Sequence, residues 1–218
     1  MSFEKAAPLM CAGSTIYNSI HRAKQPKGVQ YAKAMGYRVV AVDTRQSILD
    51  HAETLPIGLA PDLTINPRDG AQAALDRISV RFEGVQGLAA AIVATNPPAY
   101  MFATNILAKH GVLVVVGLPK EPTLFRYSDI IFRDISTTSG TPSPKPLLHE
   151  MVNLTVEAGI QVKVKVYEGL ESVSNLVHDY HDPDIKGKLV VKSTHYCNKK
   201  GWNTTVWASR PMSYKRRA

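Results

Sequence analysis

The chain has 218 residues, of which 44% are hydrophobic and 20% are charged, a composition that is typical of one globular domain and excludes a largely disordered chain. The formal net charge is +8, but six of these charges come from a C-terminal stretch without acidic residues, at Lys199, Lys200, Arg210, Lys215, Arg216 and Arg217. Because a nucleic-acid site needs a basic face on the fold itself, we expect no nucleic-acid partner.

Cysteine usage and the N-terminus bear on where the protein works. Cys11 and Cys197 are separated by nearly the whole chain, so they do not form a disulfide framework. The first residues lack the basic-then-apolar pattern of a secretion signal. The longest apolar runs, near 88–94 and 112–118, are far shorter than the roughly 20 residues that span a membrane. We therefore expect a cytoplasmic protein without a membrane segment.

Apolar runs of strand length alternate along the chain with helical patterns. In chain order they predict a helix at 28–36, a strand at 37–42, a helix at 46–55, a strand at 63–65, a helix at 70–78, a strand at 88–94, a helix at 98–109, strands at 112–117 and 135–139, a helix at 146–158, a strand at 162–166, a helix at 170–180 and a strand at 189–191. Continuously apolar strands between helices predict an α/β fold with a parallel sheet covered on both faces. Gly111 is predicted to end the central helix in the left-handed conformation.

The composition changes at the end of the chain. Residues 193–218 contain both tryptophans, many polar residues and no periodic apolar pattern. Apolar residues this sparse do not offset the entropy lost on ordering. The sequence therefore predicts a folded domain at 1–192 followed by a basic, disordered tail at 193–218.

The run Tyr37–Val42 ends on an acidic residue, Asp43, as the second strand of a dinucleotide-binding unit does. In such a unit a G-x-G-x-x-G loop lies upstream, between the first strand and a helix, and binds the pyrophosphate through backbone amides and the helix N-terminus. Here residues 23–27 lead directly into the helical pattern at 28–36, with no glycine loop and no apolar strand before it. The pattern indicates that ribose binding is retained and that phosphate binding is lost.

Residues 2–17, 28–36 and 110–119 resemble microbial and fungal zinc-dependent alcohol dehydrogenases of the medium-chain dehydrogenase/reductase family. The likeness runs from Met1 to about Lys192. It implies an incomplete Rossmann-like sheet that lacks its first strand and the glycine loop. Two further family features are expected to be missing, namely the N-terminal catalytic domain and the usual C-terminus.

The resemblance implies NAD as cofactor and assigns residues to it. Asp43 would accept hydrogen bonds from the adenosine ribose, with Arg45 as the nearby positive charge, because Ile48 stands about where the family commonly has a lysine. The remaining cofactor contacts would come from Thr95, Val116, Gly117, Leu118 and Lys188. Two alternatives stay open: Asp43 and Gln46 also have the spacing of a capping box, and Gly117 also fits a sharp turn without a ligand.

Cys11 matches the family position of a catalytic zinc ligand. A catalytic zinc needs three protein ligands and an open position, and the resemblance places the other two in the missing domain. We therefore expect an incomplete zinc site. The alternative is that Cys11 is a half-buried small side chain at a helix start.

Two functions follow from the resemblance. The first is an NAD-dependent alcohol dehydrogenase that acts on a small alcohol or carbonyl substrate, impaired or inactive as this chain alone. The second is a non-catalytic partner that forms a homo-oligomer or pairs with a full-length relative through the strand at 135–139. Without the first Rossmann strand, the runs at 37–42 and 88–94 each have an open edge. We predict that they pair directly in parallel, or else that the chain aggregates through those edges.

Overall fold

The computed structural model describes residues 1–23, 29–123, 125–182 and 187–193. The helices are α1 (Phe3–Ala6), α2 (Ala12–Arg22), α3 (Val29–Ala34), α4 (Gln46–Glu53), α5 (Ala71–Arg81), α6 (Pro97–Ile106), α7 (Tyr127–Ile131), α8 (Lys145–Glu157) and α9 (Val173–Tyr180). The strands are β1 (Val40–Val42), β2 (Leu63–Ile65), β3 (Leu88–Val93), β4 (Leu107–Val115), β5 (Ser136–Ser139), β6 (Val164–Glu168) and β7 (Lys188–Lys192). Short 3₁₀ turns are formed by Ala7–Met10, Pro67–Asp69 and Leu170–Ser172.

The strands form three small parallel sheets, with the orders β1-β2, β3-β4-β5 and β6-β7. Helices connect the strands and pack against them, as parallel pairing requires. The predicted α/β fold of parallel strands flanked by helices is confirmed. The basic tail, apart from Ser193, lies outside the described residues, so its predicted disorder stays a prediction.

The predicted pairing of β1 with β3 is wrong. β1 pairs with β2, from Val40 opposite Leu63 to Val42 opposite Ile65, and β3 pairs with β4. Val40 and Ile65 instead pack against Ile78 of α5 and Ile106 of α6 in one buried cluster. This burial removes the Val40 side chain from water. Val42 is 40% exposed, and Leu88 of β3 packs against the same cluster without pairing with β1. A strand of three residues would also gain few backbone hydrogen bonds from a second partner.

Two further clusters place α2 and α3 on the sheets. Tyr17 and Ile20 of α2 pack with Tyr31 of α3 and with Met151 of α8, and all four are buried. At the end of α2, Ala23 is fully buried against β3 and β4. Helix α2 therefore covers part of the three-stranded sheet, and its position bears directly on the candidate site.

The predicted helix end at Gly111 is also wrong. Helix α6 ends at Ile106, and β4 begins at the next residue with an irregular register, in which Leu88 lies opposite Leu107 and Ala90 opposite Val112. The left-handed residue is His110, with φ of 61°. Gly111 is needed for a close approach instead, because a Cβ there would lie 2.8 Å from the Ala108 carbonyl oxygen.

A buried carboxylate joins α7 to the end of α6. Asp129 is 5% exposed and accepts hydrogen bonds from Arg126 (3.1 Å) and Arg133 (3.0 Å). Arg133 also donates to the carbonyls of Thr104 and Leu107, near the C-terminal end of α6. A cation there satisfies carbonyls that lack helical partners. The ion pairs therefore hold α7 beside the start of β4. They also fix the position of Arg133, from which the chain continues to β5.

Candidate functional site

The carboxyl ends of β3 and β4 lie against each other. The backbone amides of Val116 and Gly117 both donate to the Val93 carbonyl, at 2.9 and 3.1 Å. A Cβ on Gly117 would lie 2.8 Å from the Thr95 carbonyl oxygen, so this close approach requires glycine. The buried Tyr100 hydroxyl donates to the Gly117 carbonyl at 3.1 Å. Gly117 thus has a structural reason of its own, and whether it also contacts a cofactor stays a prediction.

Helix α2 lies beside these strand ends. The Asn18 side chain donates to the Thr141 carbonyl at 2.9 Å, and Ser143 Oγ donates to the Ser14 carbonyl at 2.7 Å. A Cβ on Gly140 would lie 2.3 Å from Ser19 Oγ. These contacts join the helix to the segment that follows β5. The partners are more than 120 residues apart, and no local pattern in the sequence signals them.

Asp43 follows β1 and interacts closely with Arg45. Its carboxylate accepts from the Arg45 backbone amide (2.9 Å) and from the guanidinium Nε and Nη2 (both 3.1 Å). The Asp43 side chain is 25% exposed and that of Arg45 is 52% exposed. The capping-box alternative is wrong, because Arg45 occupies the N-cap position of α4 and the Gln46 side chain donates to Asp50. Asp43 instead closes an Asx-type turn over its own backbone.

The charge of Asp43 depends on opposing effects. Partial burial raises the pKa of the carboxyl, but hydrogen bonds from the Arg45 side chain and backbone, and its positive charge, together lower the pKa below its ordinary value. Asp43 is therefore ionised at neutral pH. An ionised carboxylate accepts hydrogen bonds from ribose hydroxyls and repels a 2′-phosphate. A ribose would have to share these oxygens with Arg45.

The remaining predicted cofactor residues lie in different parts of the fold. Thr95 and Leu118 are exposed and Val116 is half-buried, all directly after strands of the three-stranded sheet. Lys188 is the exposed first residue of β7, and its amide donates to the Lys163 carbonyl at 3.0 Å. Asp43, the residues after β3 and β4, and Lys188 thus belong to three different sheets. Their roles in cofactor binding stay predictions.

Cys11 lies at the start of α2 and is exposed, so the expected half-burial is wrong. Its carbonyl accepts from Thr15 Oγ1 (2.8 Å) and Ser14 Oγ (3.1 Å), and these bonds hold the first turn of α2. Among the residues that the structure describes, no group of three or more His, Cys, Asp or Glu could hold a metal ion. The described residues therefore do not fit a catalytic zinc site.

Comparison with known proteins agrees with this arrangement of strands and helices. The model of a family described as zinc-binding dehydrogenase matches residues 28–154, more than half of the chain. The chain belongs to this family. The matched residues include β1 to β5 and Asp43 but not Cys11. Within the described ranges, no helix is long and apolar enough to cross a membrane.

The relatives that match the chain are longer than it. An alcohol dehydrogenase of Geobacillus stearothermophilus is 29% identical over 209 residues, which cover 88% of this chain and 59% of the relative. One of Rhizobium meliloti is 26% identical over 206 residues, covering 88% and 58%. The chain thus spans a little under three fifths of these relatives.

Solved structures of similar fold are matched over similar shares of their length. An NAD-dependent alcohol dehydrogenase superposes with a TM-score of 0.74 at 18% identity, covering 88% of this chain and 59% of that one. The benzyl alcohol dehydrogenase of Acinetobacter calcoaceticus superposes with a TM-score of 0.71 at 20% identity, covering 88% and 58%. At these identities the likeness establishes the fold.

Proposed function

We propose that the chain is the nucleotide-binding part of an NAD-dependent alcohol dehydrogenase, and that Asp43 binds the adenosine ribose of the cofactor. The observation that carries the proposal is the position and charge of Asp43. It follows the apolar strand β1, is 25% exposed and is held ionised by Arg45. Cofactors of open α/β sheets bind beyond the carboxyl ends of the strands, which is where Asp43 lies. The relatives' names support alcohols and the corresponding carbonyl compounds as substrates.

The chain's own residues supply only some of the contacts that would bind NAD. Asp43 orients the ribose and favours NAD over NADP, because a 2′-phosphate would bring a second negative charge beside the carboxylate. The turn at Val116–Leu118 offers backbone groups at the ends of β3 and β4. No G-x-G-x-x-G sequence precedes β1, so the pyrophosphate lacks its usual amide donors. In this chain alone we therefore propose weak nucleotide binding without hydride transfer.

The ribose-binding role of Asp43 can be tested by NMR with millimolar nucleotide. In a ¹⁵N-labelled chain, NAD is expected to shift the amides of Thr44 and Arg45, and NADP is expected to shift them much less. Asp43→Ala removes a charged hydrogen-bond acceptor, worth about 1.5–3 kcal/mol or at least tenfold in affinity, and should abolish the shifts.

Asp76→Ala is the matched control for Asp43→Ala, because Asp76 is an exposed carboxylate on α5 that accepts a bond from Gln72. This variant should keep the response to NAD. Equal shifts with NADP, or an unchanged response in Asp43→Ala, would contradict the ribose-binding role.

A second candidate function is assembly, either with another copy of the chain or with a longer relative. β5 is an edge strand of its sheet, and three of its four residues are exposed. Apolar side chains lie exposed just before it, with Tyr127 at 84%, Ile131 at 66% and Phe132 at 78%. An open strand edge beside an exposed apolar patch is a typical pairing surface.

Sedimentation velocity tests whether this edge mediates assembly. If copies pair along β5, the chain is expected to sediment as a dimer, and Phe132→Lys should shift it to monomer by placing a charge in the interface. Ile57→Lys, at a residue fully exposed elsewhere on the surface, should leave the dimer unchanged. A monomeric chain that also fails to associate with an added full-length relative would eliminate this candidate.

A further inference from the structure

Helix α9 and the turn before it carry an unusual apolar surface. Leu170, Val173, Val177 and Tyr180 are 66%, 41%, 51% and 71% exposed, respectively. No residue of α9 is buried, although the helix packs on β7. The spacing of three, four and three residues places these four side chains on one face. We call this face the α9 stripe. Contiguous exposed apolar surface of this kind marks an interaction site.

The described chain ends beside one end of the α9 stripe. β6 and β7 run parallel with Glu168 opposite Lys192, and the Gly169 amide donates to the Lys192 carbonyl at 2.9 Å. Ser193 therefore leaves the fold next to Leu170. Residues 194–218, which lie outside the described structure, follow from this point.

The length of that segment is sufficient to reach every part of the stripe. The stripe extends over eleven residues, or about 15 Å if helical throughout. Trp202 lies nine positions after Ser193, and an extended chain of that length reaches at most about 30 Å. Trp202 can therefore contact any of the four apolar side chains, and Trp207 can reach still further.

The charges of the two segments are complementary. Residues 168–182 include four acidic residues and no lysine or arginine, and two of the four carboxylates are paired with lysines of β6 and β7. Residues 194–218 include six basic residues and no acidic one. Two of the bases, Lys199 and Lys200, lie between Ser193 and Trp202 in the sequence, and Glu168 and Glu171 lie at the end of the stripe next to Ser193. Opposite charges so placed favour contact between the segments.

We propose that residues 194–218 dock on the α9 stripe of the same chain, with Trp202 and Trp207 as the apolar anchors. Tryptophan buries about 150–250 Å² of surface, so two anchors suffice to cover a short stripe. The tail is too poor in apolar residues to form a core of its own, but the stripe is a preformed apolar partner. Docking also brings the excess basic charge of the tail beside the acidic residues of 168–182.

Tryptophan fluorescence tests this proposal directly, because the chain has two tryptophans and both lie in the tail. The comparison is between the full chain and a synthetic peptide of residues 194–218. Docking is expected to shift the emission of the full chain to shorter wavelength. If at least half of the molecules are docked, it should also reduce acrylamide quenching about twofold relative to the peptide.

Two matched variants identify the docking surface. Val177→Lys places a charge in the middle of the stripe at a residue that is already 51% exposed, so the fold should persist, as circular dichroism can verify. It is expected to restore the emission and quenching of the free peptide. Val80→Lys, on α5 at 85% exposure, is expected to leave the full-chain values unchanged.

Three results would overturn the proposal. The first is emission and quenching in the full chain equal to those of the peptide. The second is protection that Val177→Lys does not reduce. The third is protection that disappears on dilution together with a change in sedimentation, which would mean that the tail docks on a second copy.

Discussion

Titration of the chain with NAD is expected to give a dissociation constant no tighter than about 1 mM, which corresponds to a total binding free energy of about 4 kcal/mol. The reason is the sequence before β1. Residues 23–27 lead into the helix at Val29 without a glycine-rich turn, so the pyrophosphate loses the backbone amides and helix N-terminus that normally bind it. In the proposed binding mode, Asp43 would contact only the ribose. One ribose contact does not replace a phosphate site.

Isothermal titration calorimetry at high protein concentration measures this affinity, with adenosine as the matched ligand. Because adenosine lacks the pyrophosphate but has the ribose, adenosine and NAD are expected to bind with similar affinity. NAD affinity in the micromolar range would show that other residues bind the phosphates. The prediction would then be wrong, whether or not Asp43 contacts the ribose.

Leu113→Ala is expected to lower the free energy of unfolding by about 2–5 kcal/mol. Leu113 is fully buried in β4 and packs in a cluster with Tyr100 of α6 and Ile135, which precedes β5. Its removal leaves a cavity between the central strand and its covering helix. Chemical denaturation of the variant and the unchanged protein measures the loss.

Leu118→Ala provides the matched control, since the same atoms are removed from a side chain that is 97% exposed. The free energy of unfolding should change by no more than about 0.5 kcal/mol. Equal losses in the two variants would mean that β4 is not the centre of a packed core. A large loss at Leu118 alone would place an unrecognised contact at the turn after β4.

Local patterns predicted most of the elements correctly. β2 is the run at 63–65 that the sequence indicated, and β3 differs from its prediction by one residue at the C-terminal end. Helix α5 begins at Ala71, one residue after the predicted start. These elements depend on apolar periodicity within a few residues, which is present in the chain before any tertiary contact forms.

Two errors arose where a hydrogen bond that the local pattern does not signal decided the outcome. Gly111 was expected to be left-handed because glycine adopts that conformation most easily, yet His110 does so, with its amide bonded to the Arg133 carbonyl at 2.8 Å. Asp43 had the spacing of a helix cap but bonds to Arg45. In both cases the local preference was real, and a competing hydrogen bond outweighed it.

The sequence by itself determined the order of β1 to β7 and of the helices other than α1, α2 and α7, the family resemblance, and the position of Asp43 at the end of an apolar strand. All three depend on neighbouring residues and on side-chain chemistry. Tertiary structure alone decided that β1 pairs with β2 and not with β3, and that α2 joins the segment after β5. These contacts depend on which distant apolar faces bury each other best, as Val40 does with Ile106, and a linear pattern does not encode that competition.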